Sequence, residues 1–152
     1  MRIKTNKKAP NFKLDSTASK PFELSKLKNA LIVYFYPKDN TPGCTLETKD
    51  FSKLYKKFKS LKYEVVGISR DNIKSHLGFK KKYKVPFQLL SDEKVQVQKK
   101  YGVWGMKSFI GKKFMGTIRS TIAINKHRKI LRVWSNVRVK NHAQEVLDFV
   151  KS

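Results

Sequence analysis

Cys44 is the only cysteine in the 152 residues, and its neighbours are those of a nucleophile. The order Thr41, Pro42, Gly43, Cys44 reads as a helix start. Thr41 takes the N-cap, and Pro42 takes the first helical position, where its missing N–H costs nothing. A thiol in that first turn sits among unpaired backbone N–H groups at the positive end of the helix dipole. Such surroundings favour thiolate over thiol, and the thiolate is the reactive form. A lone cysteine is otherwise most simply a small buried hydrophobe, and it is the helix start that argues for chemistry here. The three histidines, His76, His127 and His142, make no metal-ligand spacing with carboxylates or with Cys44, so no metal is expected. Gly102, Gly105 and Gly111 fit no phosphate-binding loop, and no other cofactor is expected.

The elements that would hold Cys44 follow from hydrophobic periodicity. Residues 30–36 are a near-continuous apolar run, the pattern of a strand buried on both faces, and the chain then breaks at Pro37 and turns through Asp39 and Asn40. After Cys44, the apolar positions Phe51, Leu54, Phe58 and Leu61 predict an amphipathic helix over about 42–61. Lysines interleave with its aromatic residues in sequence, as in a nucleic-acid patch, but helical geometry sends Phe51 and Phe58 to the core. Residues 64–69 are a second buried strand. Asp71 and Asn72 cap a helix that stops before Pro86. A short strand at 87–90 precedes another helix, capped by Ser91 and Asp92. Residues 103–117, with Gly105, Gly111 and Gly116 among Lys107, Lys112 and Lys113, read as a long loop. Residues 118–125 and 129–134 form a hairpin, and Asn141 caps a last helix. Before all of these, residues 12–14 and 21–24 suggest a first hairpin, with a short helical turn at 25–28. Trp104 and Trp134 read as core or rim residues. The order predicts an α/β fold, a mixed sheet covered by helices on both faces with an N-terminal β-hairpin extension, as one domain over 1–152.

Composition bounds the setting. An apolar fraction of 39% with 12% aromatic residues supports a folded core. No apolar run is long enough to span a bilayer, and the N-terminus lacks the apolar region of a secretory signal. A single cysteine excludes an internal disulfide, so a reducing compartment, the cytoplasm, is the expected location, with no membrane partner. Thirty-five Lys and Arg against eleven Asp and Glu give a net charge of +24. That charge admits a polyanionic partner such as nucleic acid, or an anionic membrane surface, and non-specific nucleic-acid binding is the alternative function it suggests. Only six of the basic residues are arginine, however, and lysines spread along the whole length suit a solvated surface better than a dedicated phosphate reader.

The spacing of Pro37, Thr41 and Cys44 resembles the active-site signature of peroxiredoxins. The wider run from Tyr34 to Thr45 is similar to the bacterioferritin-comigratory, or peroxiredoxin Q, branch. The similarity continues through residues 67–71, Ser75 and His76, residues 89–92, residues 101–104 and residues 119–121, and so covers nearly the whole chain. It implies a thioredoxin-like fold and a thiol peroxidase acting on hydrogen peroxide or organic hydroperoxides. Cys44 would attack the peroxide and become a sulfenic acid. Thr41 would point its hydroxyl at the sulfur or the peroxide, Pro37 would shield the thiolate, and Arg119 matches the family's catalytic arginine. Gly43 would border the substrate with its free N–H, and Glu47 would orient Arg119 through a bidentate pair. Many members of this branch carry a resolving cysteine five residues after the first, where this chain has Lys49. A one-cysteine mechanism follows, with an external thiol such as thioredoxin, glutaredoxin or glutathione as reductant. The branch also implies a monomer or a weak homodimer.

Overall fold

The computed structural model describes residues 3–152; Met1 and Arg2, at the head of the basic N-terminal segment, lie outside the described residues. Its main sheet has seven strands, in the order β2 (Phe22–Glu23), β1 (Lys13–Ser16), β5 (Gln88–Ser91), β4 (Tyr63–Ser69), β3 (Ala30–Phe35), β8 (Ser120–Ile124) and β9 (Ile130–Ser135). The central strand β3 (Ala30–Phe35) runs parallel to β4 (Tyr63–Ser69), which runs parallel to β5 (Gln88–Ser91). On the other side β8 (Ser120–Ile124) and β9 (Ile130–Ser135) add antiparallel.

The sequence of β3 explains its central place. Every one of its residues is buried, and the side chains alternate between two cores. Leu31, Val33 and Phe35 join Phe12, Leu24, Val97 and Tyr101 on one face. Ile32 and Tyr34 join Cys44, Phe51, Phe58, Phe79, Val146 and Leu147 on the other. Each such side chain contributes about 1.5–3 kcal/mol when removed from water, so the strand is held from both sides. The helices α1 (Pro42–Ser60), α2 (Ile73–Tyr83) and α4 (His142–Lys151) cover the face that holds Cys44. The short α3 (Gln96–Lys100) and the N-terminal segment cover the opposite face.

The mixed sheet, its flanking helices and the thioredoxin-like fold agree with the sequence reading, and four details differ. First, β1 (Lys13–Ser16) and β2 (Phe22–Glu23) form the predicted hairpin, but β1 also pairs with β5, so the hairpin is the sheet's edge and not an appendage. Second, α3 starts later than Ser91 and Asp92 suggest. The Asp92 carboxylate reaches forward to accept from the N–H groups of Val97 and Gln98, at 3.3 and 2.9 Å. Third, Asn141 stands at the N-cap of α4 in a left-handed conformation with no side-chain capping bond. Asn72, by contrast, accepts from the Ser75 N–H at 2.8 Å and caps α2 as expected.

The fourth difference is the largest. Residues 103–117 are not a loop but a separate two-stranded ribbon, β6 (Trp104–Phe109) paired antiparallel with β7 (Lys112–Thr117). Its two-residue turn, Ile110 and Gly111, has φ of +49° and +74°, as a type I′ hairpin turn requires. Glycines in both strands and an isoleucine in the turn hide the usual alternation and turn signature. At the ribbon's base the Arg70 guanidinium lies 5.5 Å from the centre of the Trp104 ring. Trp134 is buried.

Candidate active site

β3 ends in the middle of the sheet and delivers the chain into the segment Tyr36 to Asn40. A buried polar network holds that segment. The Asp39 carboxylate accepts from Tyr36 Oη at 2.7 Å and from Ser75 Oγ at 2.8 Å. It also meets His76 Nδ1 at 2.7 Å, while His76 Nε2 meets the Leu90 carbonyl at 2.9 Å. The Asp39 N–H donates to Asp71 Oδ2 at 2.8 Å. Asp39, Asp71 and His76 therefore stand close enough to share a cation, but their polar atoms are already engaged in tying the segment to β4, α2 and β5. Sequence reasoning did not count this trio among the site residues; only their presence in the family-like strings pointed to them.

Helix α1 begins directly after this anchored segment, with Thr41 at the N-cap and Pro42 at N1. The Thr41 hydroxyl does not make the expected contact with sulfur. It donates to the Lys38 carbonyl at 2.8 Å and makes no capping bond. Its proton is thus committed, and only its lone pairs remain available. The N-cap side chain leaves the N–H groups of Gly43 and Cys44 unclaimed at the positive end of the helix.

Cys44 is fully buried, and the side chain that reaches it comes from 75 residues away. Arg119 lies in the short link between β7 and β8, and its Nη2 stands 3.3 Å from Cys44 Sγ. Its Nη1 donates to Glu47 Oε1 at 2.6 Å. The guanidinium fork is thus divided between sulfur and carboxylate, and the bidentate Arg119–Glu47 pair expected from sequence is replaced by a single bond. Gly43 permits this approach. A Cβ on Gly43 would lie 3.3 Å from Arg119 Nη2, closer than side chains normally settle.

Glu47 is not a surface residue among lysines but is only 1% exposed, and its Oε2 has no hydrogen-bond partner. Burial raises its carboxyl to about 7, and Arg119 opposes that rise without cancelling it. For Arg119, burial pulls downward, yet the charges of Glu47 and Cys44 outweigh it and hold the guanidinium above its ordinary value. Both shifts are upward, but burial prevails at Glu47, which is nearly sealed from water, whereas the neighbouring charges prevail at Arg119, whose side chain is 17% exposed. Lys107 on β6 is a further cation near the sulfur. Burial and then Arg119 lower it, and Cys44 opposes.

Above Arg119 opens a pocket of about 580 Å³. Pro37, Ile118, Val137 and Met106 supply its apolar lining, and Lys107, Ser108, Arg119 and Asn136 its polar lining. Arg119 thus joins the two halves of the site: it meets Cys44, Glu47 and Gly43 on its buried side and shares the pocket lining with Pro37, while Thr41 turns its proton away and Lys49 lies exposed on α1.

Comparison with known proteins places this arrangement. The AhpC/TSA family matches residues 5–133. Peroxiredoxin Bcp of Bacillus subtilis is 39% identical over 152 residues, covering 99% of this chain and 97% of that protein. A mutant of Xylella fastidiosa PrxQ superposes with a TM-score of 0.93 at 33% identity, covering 99% of this chain and 97% of that one. The bacterioferritin comigratory protein of Xanthomonas campestris, whose structure was described in terms of its alkyl peroxide reduction activity, superposes with a TM-score of 0.87. It is 33% identical, over 92% of this chain and 90% of its own. A buried cysteine at a helix start, an arginine on its sulfur and these likenesses make one statement: the chain belongs to the AhpC/TSA family, as a thiol-dependent peroxidase of the Bcp and peroxiredoxin Q group.

Proposed function

We propose that Cys44 is the peroxidatic nucleophile and that Arg119, Glu47, Gly43 and Pro37 form the pocket in which it works. The observation that carries this reading is the 3.3 Å contact of Arg119 Nη2 with Cys44 Sγ beneath an open pocket. The guanidinium sets a fixed positive charge beside the sulfur. The thiolate attacks the terminal oxygen of R–O–O–H; an S–O bond forms and the O–O bond breaks. The leaving alkoxide takes up a proton and departs as R–OH, and the sulfur, oxidised by two electrons, is left as a sulfenic acid. The free N–H groups of Gly43 and Cys44, with Arg119, face the charge that builds on the leaving oxygen. Thr41 accepts a hydrogen bond from the peroxide rather than donating to sulfur, and Pro37 keeps water from the thiolate. The apolar wall of Pro37, Ile118, Val137 and Met106 suits an alkyl hydroperoxide as well as hydrogen peroxide.

The cycle closes through an external thiol, because Cys44 is the only cysteine. That thiol condenses with the sulfenic acid, releasing water and leaving a mixed disulfide, and a second thiol displaces it. Thioredoxin, glutaredoxin and glutathione are the reductants to compare. A reducing cytoplasm suits this chemistry, and a charge of +24 on every copy keeps self-association no stronger than a weak homodimer. Nothing in the relatives supports nucleic-acid binding as the function. The test is peroxide consumption by the wild type and by Cys44→Ser. Without thiol the wild type consumes one equivalent of peroxide and stops, and dithiothreitol restores turnover. Equal activity in Cys44→Ser, or sustained turnover without thiol, overturns the reading.

A further inference from the structure

The large hydrophobic side chains exposed on this protein are not scattered. Of eight among the described residues, five lie on the β6–β7 ribbon: Met106, Phe109, Ile110, Phe114 and Met115. The register puts Met106 opposite Met115 on one face, while Phe109 and Phe114 share the other with Lys107 and Lys112. Both faces are therefore apolar and lysine-bearing, and exposure is greatest at the tip, where Phe109 is 65% and Ile110 84% accessible. Ile110 holds a left-handed conformation, φ +49°, which a β-branched residue adopts at a cost and which Asn, Asp or Gly would adopt freely. An apolar residue thus stands in the turn against both solvation and backbone preference.

Charge indicates what would cover this tip. From Lys94 to Gln144, the stretch that contains the whole ribbon, the chain carries thirteen Lys and Arg and no Asp or Glu. Lys112 and Lys113 directly follow the turn. A second copy of the chain would bring the same cationic stretch and a further +24, so self-pairing through the ribbon is opposed. A two-residue apolar tip with lysines just behind it matches instead the layering of an anionic bilayer, acyl chains beneath phosphate headgroups.

We infer that the β6–β7 hairpin docks the protein on anionic lipid surfaces, with Phe109 and Ile110 entering the acyl boundary and Lys112 and Lys113 meeting headgroup phosphates. This revises the expectation of no membrane partner, which rested on the lack of a spanning segment. No helix among the described residues is long and apolar enough to cross a membrane, and docking requires none. Met106, Lys107 and Ser108 of the same ribbon line the pocket above Arg119. Docking therefore brings the pocket mouth towards the bilayer, where an oxidised acyl chain would present its hydroperoxide; this last consequence rests on the peroxidase reading.

The test is sedimentation of the full chain with vesicles of phosphatidylcholine alone or mixed with phosphatidylglycerol, at physiological ionic strength. Binding is expected only to the mixed vesicles. It should fall roughly a hundredfold or more in Phe109→Ser/Ile110→Ser, the loss set by two apolar side chains left in water. In Phe109→Trp, brominated acyl chains should quench emission more than in the wild type. Hydrogen peroxide turnover should be unchanged in the double Ser variant, while the KM for phospholipid hydroperoxide in mixed vesicles rises. Equal binding by wild type and double variant would mean a non-specific lysine coat and overturn the proposal. Binding to duplex DNA without vesicle binding would overturn it, as would a concentration-dependent dimer lost in the double variant. Vesicle binding needs no turnover, so failure of the peroxidase reading would show separately as loss of hydroperoxide consumption with docking intact.

Discussion

At the scale of the residue, Arg119 divides one guanidinium between two groups. Nη2 meets sulfur at 3.3 Å and Nη1 meets Glu47 at 2.6 Å, so Glu47 sets where the positive charge lies. The arrangement has a cost. A carboxyl at about 7 when folded and near 4.5 when unfolded holds its proton longer in the folded state. Its ionisation therefore removes stability as pH rises from about 4.5 to about 7, with nothing lost below that window and up to about 3 kcal/mol lost above it. Glu47→Gln abolishes that ionisation. The stability of the variant relative to wild type, measured by urea unfolding, should rise across the window and level off above it. A constant difference from pH 4 to 8 would show that Glu47 does not titrate there.

At the scale of the element, the start of α1 is placed by what lies on both sides of it. β3 is held by two cores, the network from Asp39 to His76 anchors the connecting segment, and Phe51 and Phe58 fix the helix against the sheet. The first turn must also admit Arg119, and Gly43 meets that need. Gly43→Ala separates the two roles. Alanine is the better helix former by about 1 kcal/mol, so the variant should be no less stable than wild type. Its Cβ would stand 3.3 Å from Arg119 Nη2 and push the guanidinium off the sulfur. The rate with hydrogen peroxide should then fall by roughly tenfold or more, as when one stabilising donor is misplaced. Full activity in Gly43→Ala would show that this close approach is dispensable.

At the scale of the whole molecule, a charge of +24 acts on everything that approaches. Hydrogen peroxide is neutral, so its reaction with Cys44 should not change with ionic strength. Glutathione carries net negative charge, and its attack on the sulfenic acid should slow as salt screens the protein's field over about 10 Å at 0.1 M. Stopped-flow rates of the two half-reactions between 0.02 and about 0.5 M salt test this, and equal salt dependence in both would refute steering. The same charge, concentrated between Lys94 and Gln144, argues for an anionic surface against the β6–β7 ribbon.

Local pattern was enough to identify several parts of this protein. An apolar run marked β3, spacings of three and four marked α1, and the order Thr41, Pro42, Gly43, Cys44 marked the helix start. The one-cysteine chemistry follows from a count. Other features were decided only by the tertiary structure, because they join residues far apart in the chain or depend on burial. Glu47 reads as one more charge on a lysine-rich helix until α1 packs and seals it. The contact of Arg119 with Cys44 crosses 75 residues, and resemblance named it where no periodicity could. The hydroxyl of Thr41 was legible as a polar group at the right spacing, but its direction depended on the nearby Lys38 carbonyl. The β6–β7 ribbon was illegible because its strands carry glycine and its turn carries isoleucine. Its pairing, from Trp104 with Thr117 at the base to Phe109 with Lys112 at the tip, is a property of the folded chain.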